Sequence, residues 1–292
     1  MDDIRPGGHV RWSDRPTLRS PVLVAAFEGW NDAADAASTA ARYLRTRWDA
    51  RPFAAIDPEI FYDFSSTRPQ VKITDGQTRE ILWPTNELSA AVLPDSANDV
   101  VILLGTEPQL RWRTFCDQIM YVAEQLNAQM LLTLGALLAD VAHTRPVRVS
   151  GAAADPDLVQ RLGLERSTYE GPTGIVGVLH EAAERRSLPS ASLWAAVPHY
   201  VAATPSPKAT LALVNRATSI LASPIVTTDL ELKASDYERQ VTEVVASDED
   251  VAAYVQRLED TADHESAQPL EAQSGDALAA ELERFLREQH DD

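Results

Sequence analysis

The stretch VLVAAFEGWNDAADAASTAARYLRTR, residues 22–47, decides the fold class of this chain. Val22 to Phe27 is an unbroken apolar run. A run of that length without alternation reads as a strand covered on both faces, the pattern of a parallel sheet. Glu28, Gly29, Trp30, Asn31 and Asp32 then turn the chain into a predicted helix over residues 33–47. Asn31 is placed to cap it, and Asp32 and Asp35 suit the positive end of its dipole. Alanines at 33, 34, 36, 37, 40 and 41 leave little side-chain bulk, so this helix can lie close against a sheet. A buried strand feeding straight into a helix is the repeating unit of an α/β fold.

The same rhythm recurs along the chain. Residues 99–104, 129–134, 147–150 and 192–197 read as strands, and 112–126, 155–162, 173–186 and 208–221 as helices. Further strands are predicted at 53–56, 60–64, 70–74 and 79–83, with Asp75-Gly76 turning the last two into an antiparallel hairpin. The expectation is a three-layer α/β/α sandwich on a mixed sheet, with a C-terminal helical appendage. Residues 1–20, with Pro6, Gly7, Gly8, Asp14 and Pro16, show no period and read as a flexible N-terminal arm. Residues 21–228 form the core domain. Residues 229–292 form an acidic helical subdomain, with capping boxes Ser235 to Glu238 and Ser247 to Asp250 opening helices at 236–246 and 248–263. Tyr237, Val241, Val244, Val251, Val255 and Leu258 make a narrow apolar stripe on them, and a last helix is expected at 276–288.

Charge excludes several functions. The chain carries 44 Asp and Glu against 26 Lys and Arg, a net charge of −18. Residues 229–292 hold 19 acidic and 5 basic side chains, net −14, which leaves −4 for residues 1–228. Such a surface repels phosphate backbones, so no nucleic acid is expected as a partner. With a single cysteine, Cys116, neither an intrachain disulfide nor a thiolate zinc cluster can form. No apolar run long enough to span a bilayer is present, and the N-terminus lacks a signal-peptide pattern, so no membrane partner and a cytoplasmic location are expected.

In open α/β sheets ligands gather at the carboxyl ends of the strands. The turns there contain Glu28, Trp30, Asn31, Asp32, Glu107, His143, Arg145, Thr173, His199 and Tyr200, the candidate pocket residues. Glu28 and Glu107 follow strands that can be neighbours, so an acid/base pair is one reading and loop hydrogen bonding another. Neither GxGxxG nor GxxxxGK[ST] occurs, and no cofactor is expected. The six histidines stand singly, which argues against a metal site, and GxSxG is absent. Gly171-Pro172-Thr173-Gly174 is the helix start best suited to an anion, with Thr173 as a simple N-cap as its plainer reading.

Five stretches carry a resemblance: FEGWNDAADAA (27–37), LLGTEPQLRW (103–112), GALLADVAHTRPVRVSG (135–151), YEGPTGIVGVL (169–179) and WAAVPHYVAATPSPKATLALV (194–214). Together they resemble the proteasome assembly chaperone two family, in its actinobacterial branch. The resemblance implies a sandwich similar to nucleoside phosphorylases, with relatives that act as proteasome assembly factors and catalyse no reaction. With the lack of a complete catalytic constellation, and with the alanine-rich helix and the apolar stripe as contact faces, the expectation is a non-enzymatic assembly or interaction factor that self-associates as a homo-oligomer, a trimer favoured, with proteasome-related subunits as partners. The charged ending Arg287 to Asp292 differs from the apolar tails with which such chaperones dock. The alternative is a small-molecule binder, or a hydrolase or transferase rather than an oxidoreductase, using a phosphorylase-like cleft at the strand ends.

Overall fold

The computed structural model describes residues 5–75, 78–166 and 169–267. In chain order the elements are β1 (Val10–Trp12), β2 (Val22–Glu28), α1 (Ala36–Arg47), β3 (Arg51–Ile56), β4 (Gln70–Thr74), β5 (Thr78–Leu82), β6 (Asn86–Ala91), β7 (Val100–Thr106), α2 (Trp112–Gln125), β8 (Met130–Ala139), β9 (Val149–Ala153), α3 (Pro156–Leu162), α4 (Ile175–Arg185), β10 (Ser190–Pro198), α5 (Pro207–Ile220), α6 (Thr228–Val245) and α7 (Glu249–Ala267).

One sheet runs in the order β1-β3-β6-β7-β2-β8-β10-β9. Its middle, β7, β2, β8 and β10, is parallel. β1, β3, β6 and β9 pair antiparallel at the flanks. The sheet is mixed as expected, though not through the predicted hairpin: β4 and β5 form a separate two-stranded ribbon outside it.

β2 shows why two helical layers are needed. Val22, Val24 and Ala26 enter the core shared with α1 and α5, while Leu23, Ala25 and Phe27 enter the core shared with α2 and α4. Each large aliphatic side chain so buried contributes about 1.5–3 kcal/mol. Ala36, Ala37, Ala40 and Ala41 are fully buried and bring α1 against β2 and α5. The three-layer α/β/α sandwich follows.

Several local expectations are corrected. The N-terminal segment contributes β1, whose pairing with β3 completes one edge of the sheet. Residues 60–64 are not a strand: a turn donates the Phe61 N–H to the Pro58 carbonyl and buries the Phe61 ring against His9 and Phe115, centroids 5.4 and 5.2 Å away. β6 had no sequence signal, because its buried positions are Asn86, Leu88, Ser89 and Ala91, only one of them a large apolar residue. Asp32 rather than Asn31 caps α1, its Oδ1 accepting from the N–H groups of Ala37 (2.7 Å) and Ser38 (3.1 Å). The cause is a 3₁₀ turn at Ala33–Asp35, with Ala34 and Asp35 at positive φ, which delays the helix start to Ala36.

α6 begins at Thr228 and passes through Ser235 without a break, so the capping box there has no helix end to serve. Asp248, one residue past the predicted Ser247, opens α7 by accepting from the N–H groups of Asp250 and Val251. α6 and α7 meet through Tyr237, Val241, Val245 and Val255. The predicted helix at 276–288 and the turn residue Gly76 lie outside the described residues.

Asp99, just ahead of β7, ties the N-terminal segment to the sheet. Its side chain is almost wholly buried and accepts from the N–H groups of Arg19 (2.6 Å) and Leu93 (3.0 Å) and from the Arg19 guanidinium (2.7 Å). Burial opposes its ionised form, but these donors outweigh it and hold the carboxyl below its ordinary value. Asp99→Ala strands two backbone donors, so urea unfolding at pH 7 should show a loss of about 2–3 kcal/mol. An unchanged midpoint would contradict this role.

Candidate functional site

The parallel strands end in a divided space. β2 leads through α1 toward the β3 side of the sheet, whereas β8 leads by way of β9, α3 and α4 to β10 on the other. Their carboxyl ends therefore part, which is the kind of crevice where α/β folds bind ligands. The seam closes with the Ala136 N–H donating to the Asn31 carbonyl (2.9 Å). Beside it opens a cavity of about 680 Å³ between the β8-β10-β9 end of the sheet and α4.

Glu107 fixes the mouth of this cavity. Its Oε2 accepts from the Trp30 N–H (3.2 Å), and its Oε1 from Asn31 Nδ2 (3.3 Å) and the Ile175 N–H at the start of α4 (2.9 Å). The carboxylate thus occupies the anion position that the Gly171 to Gly174 turn offers, and it lies at the positive end of a helix dipole. Gly174 is the α4 N-cap, so Thr173 does not cap. A Cβ on Gly174 would come within 2.5 Å of Asn31 Nδ2 and 2.9 Å of both Glu107 Oε1 and Trp30 Cε3. Only glycine permits that convergence. Glu28, on the neighbouring strand as expected, spends its charge differently, in an ion pair with Arg42 (2.7 Å) on the surface. Asp32 is buried in its capping role, with Oδ2 unpartnered, and burial raises its carboxyl above the ordinary value.

Of the predicted residues, Trp30, Asn31 and Thr173 line the cavity and Glu107 braces it. Sequence reading missed Tyr169, His180, Glu181, Glu184 and Trp194. His180, on the inner side of α4, is held from both sides: Nε2 lies 2.9 Å from the Thr133 hydroxyl and Nδ1 2.9 Å from that of Ser190. Burial pushes it down to about 4, so the ring is neutral at pH 7. The available signal was its place in the i, i+3, i+4 pattern of α4, which points it at the sheet.

The remaining four candidates belong elsewhere. His143, Arg145, His199 and Tyr200 gather where α6 and α7 cover the body. The buried His143 ring lies 2.8 Å from the Tyr200 hydroxyl and 3.0 Å from that of Thr242 on α6. Burial, then the nearby Lys208 charge, keeps its pKa below the ordinary value, and burial carries Tyr200 up to about 12. Arg145 grips both carboxylate oxygens of Asp263 on α7, at 2.8 and 2.7 Å. His199 Nδ1 lies 3.0 Å from Asp140, which accepts from Tyr254 of α7. His143 and Arg145 also line a second cavity of about 420 Å³. The ten residues thus form two groups rather than one pocket. Cys116 is buried in α2, and desolvation lifts its thiol to about 12, leaving no thiolate for chemistry. Among the described residues, no group of three or more His, Cys, Asp or Glu side chains is placed to hold a metal ion, and no helix is long and apolar enough to cross a membrane.

A model of the PAC2 family matches residues 26–245. No curated protein sequence gives a significant match. Among solved structures, a PAC2 family protein from Streptomyces avermitilis is 48% identical, with 80% of this chain and 99% of that one covered and a TM-score of 0.75. The Mycobacterium tuberculosis proteasome-assembly chaperone homologue Rv2125 is 47% identical over the same shares, with a TM-score of 0.73. PbaB of Pyrococcus furiosus, an archaeal proteasome activator, shares the fold at 19% identity, covering 80% and 97% with a TM-score of 0.65.

Two measurements check the roles given to these side chains. Glu107→Ala should cost about 1–3 kcal/mol in urea unfolding, because three donors lose their acceptor, whereas Glu28→Ala removes an exposed ion pair and should cost under about 1 kcal/mol. Equal losses would contradict the latch. For His180, the unfolded imidazole takes a proton near 6.5 and the folded one only near 4. Between these values the unfolded state binds more protons, so stability is full above pH 6.5 and falls as pH drops toward 4. Between pH 7.5 and 4.8 the wild type should lose about 2 kcal/mol more than His180→Gln; parallel pH profiles would refute the assignment.

Proposed function

The chain belongs to the PAC2 family, and from that premise we propose that it is a non-enzymatic interaction or assembly factor that works as a homo-oligomer, a trimer by preference, in the cytoplasm. Proteasome-related subunits are its proposed partners, by analogy with the neighbour described as a proteasome-assembly chaperone homologue. The observation that carries this reading is the β4–β5 hairpin. Val71, Ile73 and Ile81 share one face of it, since Val71 pairs with Ile81 and Ile73 with Arg79, and they are 57%, 60% and 48% exposed. Trp83 continues the apolar surface at the base, where it packs on Phe64 with ring centroids 4.9 Å apart, and Leu82 is exposed on the opposite face.

An isolated two-stranded ribbon is marginally stable in water, and an exposed apolar face of this kind marks a contact surface. Its charge suits it to that purpose. Residues 68–83 carry Arg68, Lys72, Asp75, Arg79 and Glu80, a net of +1 on a chain of net −18, so an acidic copy or partner can approach here without repulsion. The engagement of Glu28, Glu107 and Asp32 in ion pairing, latching and capping also favours binding over chemistry.

The double variant Ile73→Asp, Ile81→Asp should leave thermal stability within about 1 kcal/mol of wild type, since both residues are solvent-facing. Sedimentation velocity should show it shifted to monomer, with binding to purified proteasome α-subunits lost. A wild-type protein that is monomeric and does not bind those subunits would sink the proposal, and an unchanged oligomer in the variant would remove the hairpin from it.

A further inference from the structure

We propose that the cavity of about 680 Å³ beside α4 binds a small organic cation with a flat apolar body, of the aromatic-amine class. The site is independent of the hairpin and of the interaction role. Its volume lies in the range of about 300–1,000 Å³ typical of small-molecule sites. The space exists because Ala33, Ala136, Ala152 and Ala153 line it where larger side chains would fill it.

Flatness follows from the two tryptophans. Trp194 lies against Gly135, so closely that a Cβ there would come within 2.5 Å of its Cε3, and it presents a rigid ring to the interior. Trp30, 48% exposed, stands over Gly174 at the mouth, with its neighbours pinned by Glu107. Rings held in this way offer a planar apolar body a surface at little entropic cost and attract a cation to their faces.

The sign of the ligand follows from the charged groups. Glu181 and Glu184, one turn apart on α4 and both exposed, are the acidic side chains that line the cavity, and among the described residues no Lys or Arg lines it. Arg185 pairs with Glu181 at the surface at 2.5 Å, while Glu184 has no ion-pair partner among the described residues. His180, the side chain able to add positive charge among the described lining residues, stays neutral at pH 7 because desolvation in its largely covered position holds it down to about 4. Its two ring nitrogens are both taken by hydroxyls, so it offers a polar wall and no repulsion to a cation. An ammonium toward Glu181 and Glu184 with an aromatic ring against Trp194 suits this lining; a carboxylate in the same place would face two acids and, among the described residues, no Lys or Arg.

The test is a calorimetric and thermal-shift titration of the full chain at pH 7 with tryptamine, indole and indole-3-acetate, which share a ring system and differ in charge. Tryptamine should bind at least about ten-fold more tightly than indole, and indole-3-acetate most weakly. In Glu181→Gln, Glu184→Gln the three should converge while indole binding persists, and Ala152→Phe should abolish binding of all three by filling the space. No binding by any of them would overturn the proposal. So would indole-3-acetate matching tryptamine, or an unchanged preference in the double variant. Melting curves of both variants that stay close to wild type exclude misfolding as the cause.

Discussion

A strand buried on both faces sets the terms for this molecule. β2 directs Val22, Val24 and Ala26 one way and Leu23, Ala25 and Phe27 the other, so neither face of the sheet centre can meet water. Each face must be covered by helices, and the chain must cross over to supply them. That requirement brings in α1 and α5 on one side and α2 and α4 on the other. The crossovers diverge where β2 and β8 end, and the crevice is a geometric result of that divergence. Glu107 then holds the parts together, because one carboxylate at the end of β7 accepts from the turn after β2 and from the start of α4.

What sequence reading recovers follows from the same physics. Strands covered on both faces, β2, β7 and β8, are legible as continuous apolar runs, and α3 is announced by Asp155, which caps it as a local side-chain bond should. β1 and β6 escape because their order comes from pairing and not from composition: β6 buries Asn86 and Ser89, and Asn86 earns its place by hydrogen bonds to Tyr62 and the Thr106 carbonyl. Residues 60–64 mislead in the opposite direction, since the apolarity that reads as a strand serves to plug a turn with Phe61. The candidate site is half legible for a related reason. Residues at strand ends can be named from sequence, but whether they share one pocket depends on crossovers, and these send His143, Arg145, His199 and Tyr200 to the α6–α7 side.

The acidity of the C-terminal segment changes meaning once α6 and α7 are placed. Its carboxylates are not all left to solvent. Asp263 and Glu259 receive Arg145, Glu238 receives Lys208, and Asp229 receives Arg47 and the Tyr43 hydroxyl. These contacts join the appendage to the body at three separate places, with the buried His143 ring bridging Tyr200 and Thr242 among them. An exposed pair among these, Arg47 with Asp229, contributes at most about 1 kcal/mol, and the Tyr237, Val241, Val245 and Val255 cluster supplies the apolar burial between the helices and the body. The charges fix their register.

The hairpin and the cavity lie toward opposite ends of the sheet, the first between β3 and β6 and the second at β8, β10 and β9. A continuous set of contacts nevertheless joins them. Trp83 at the foot of the hairpin packs on Phe64; two residues earlier, Tyr62 hydrogen-bonds the Thr106 carbonyl; the next residue is Glu107, whose carboxylate holds Trp30 and the start of α4. Contiguity is not coupling, which requires an element with two arrangements that both sites bias. The structure shows this path in one arrangement, with Glu107 held by three donors beside Gly174. Glu107 is therefore a fixed post in this arrangement, tying the turn after β2 to the start of α4.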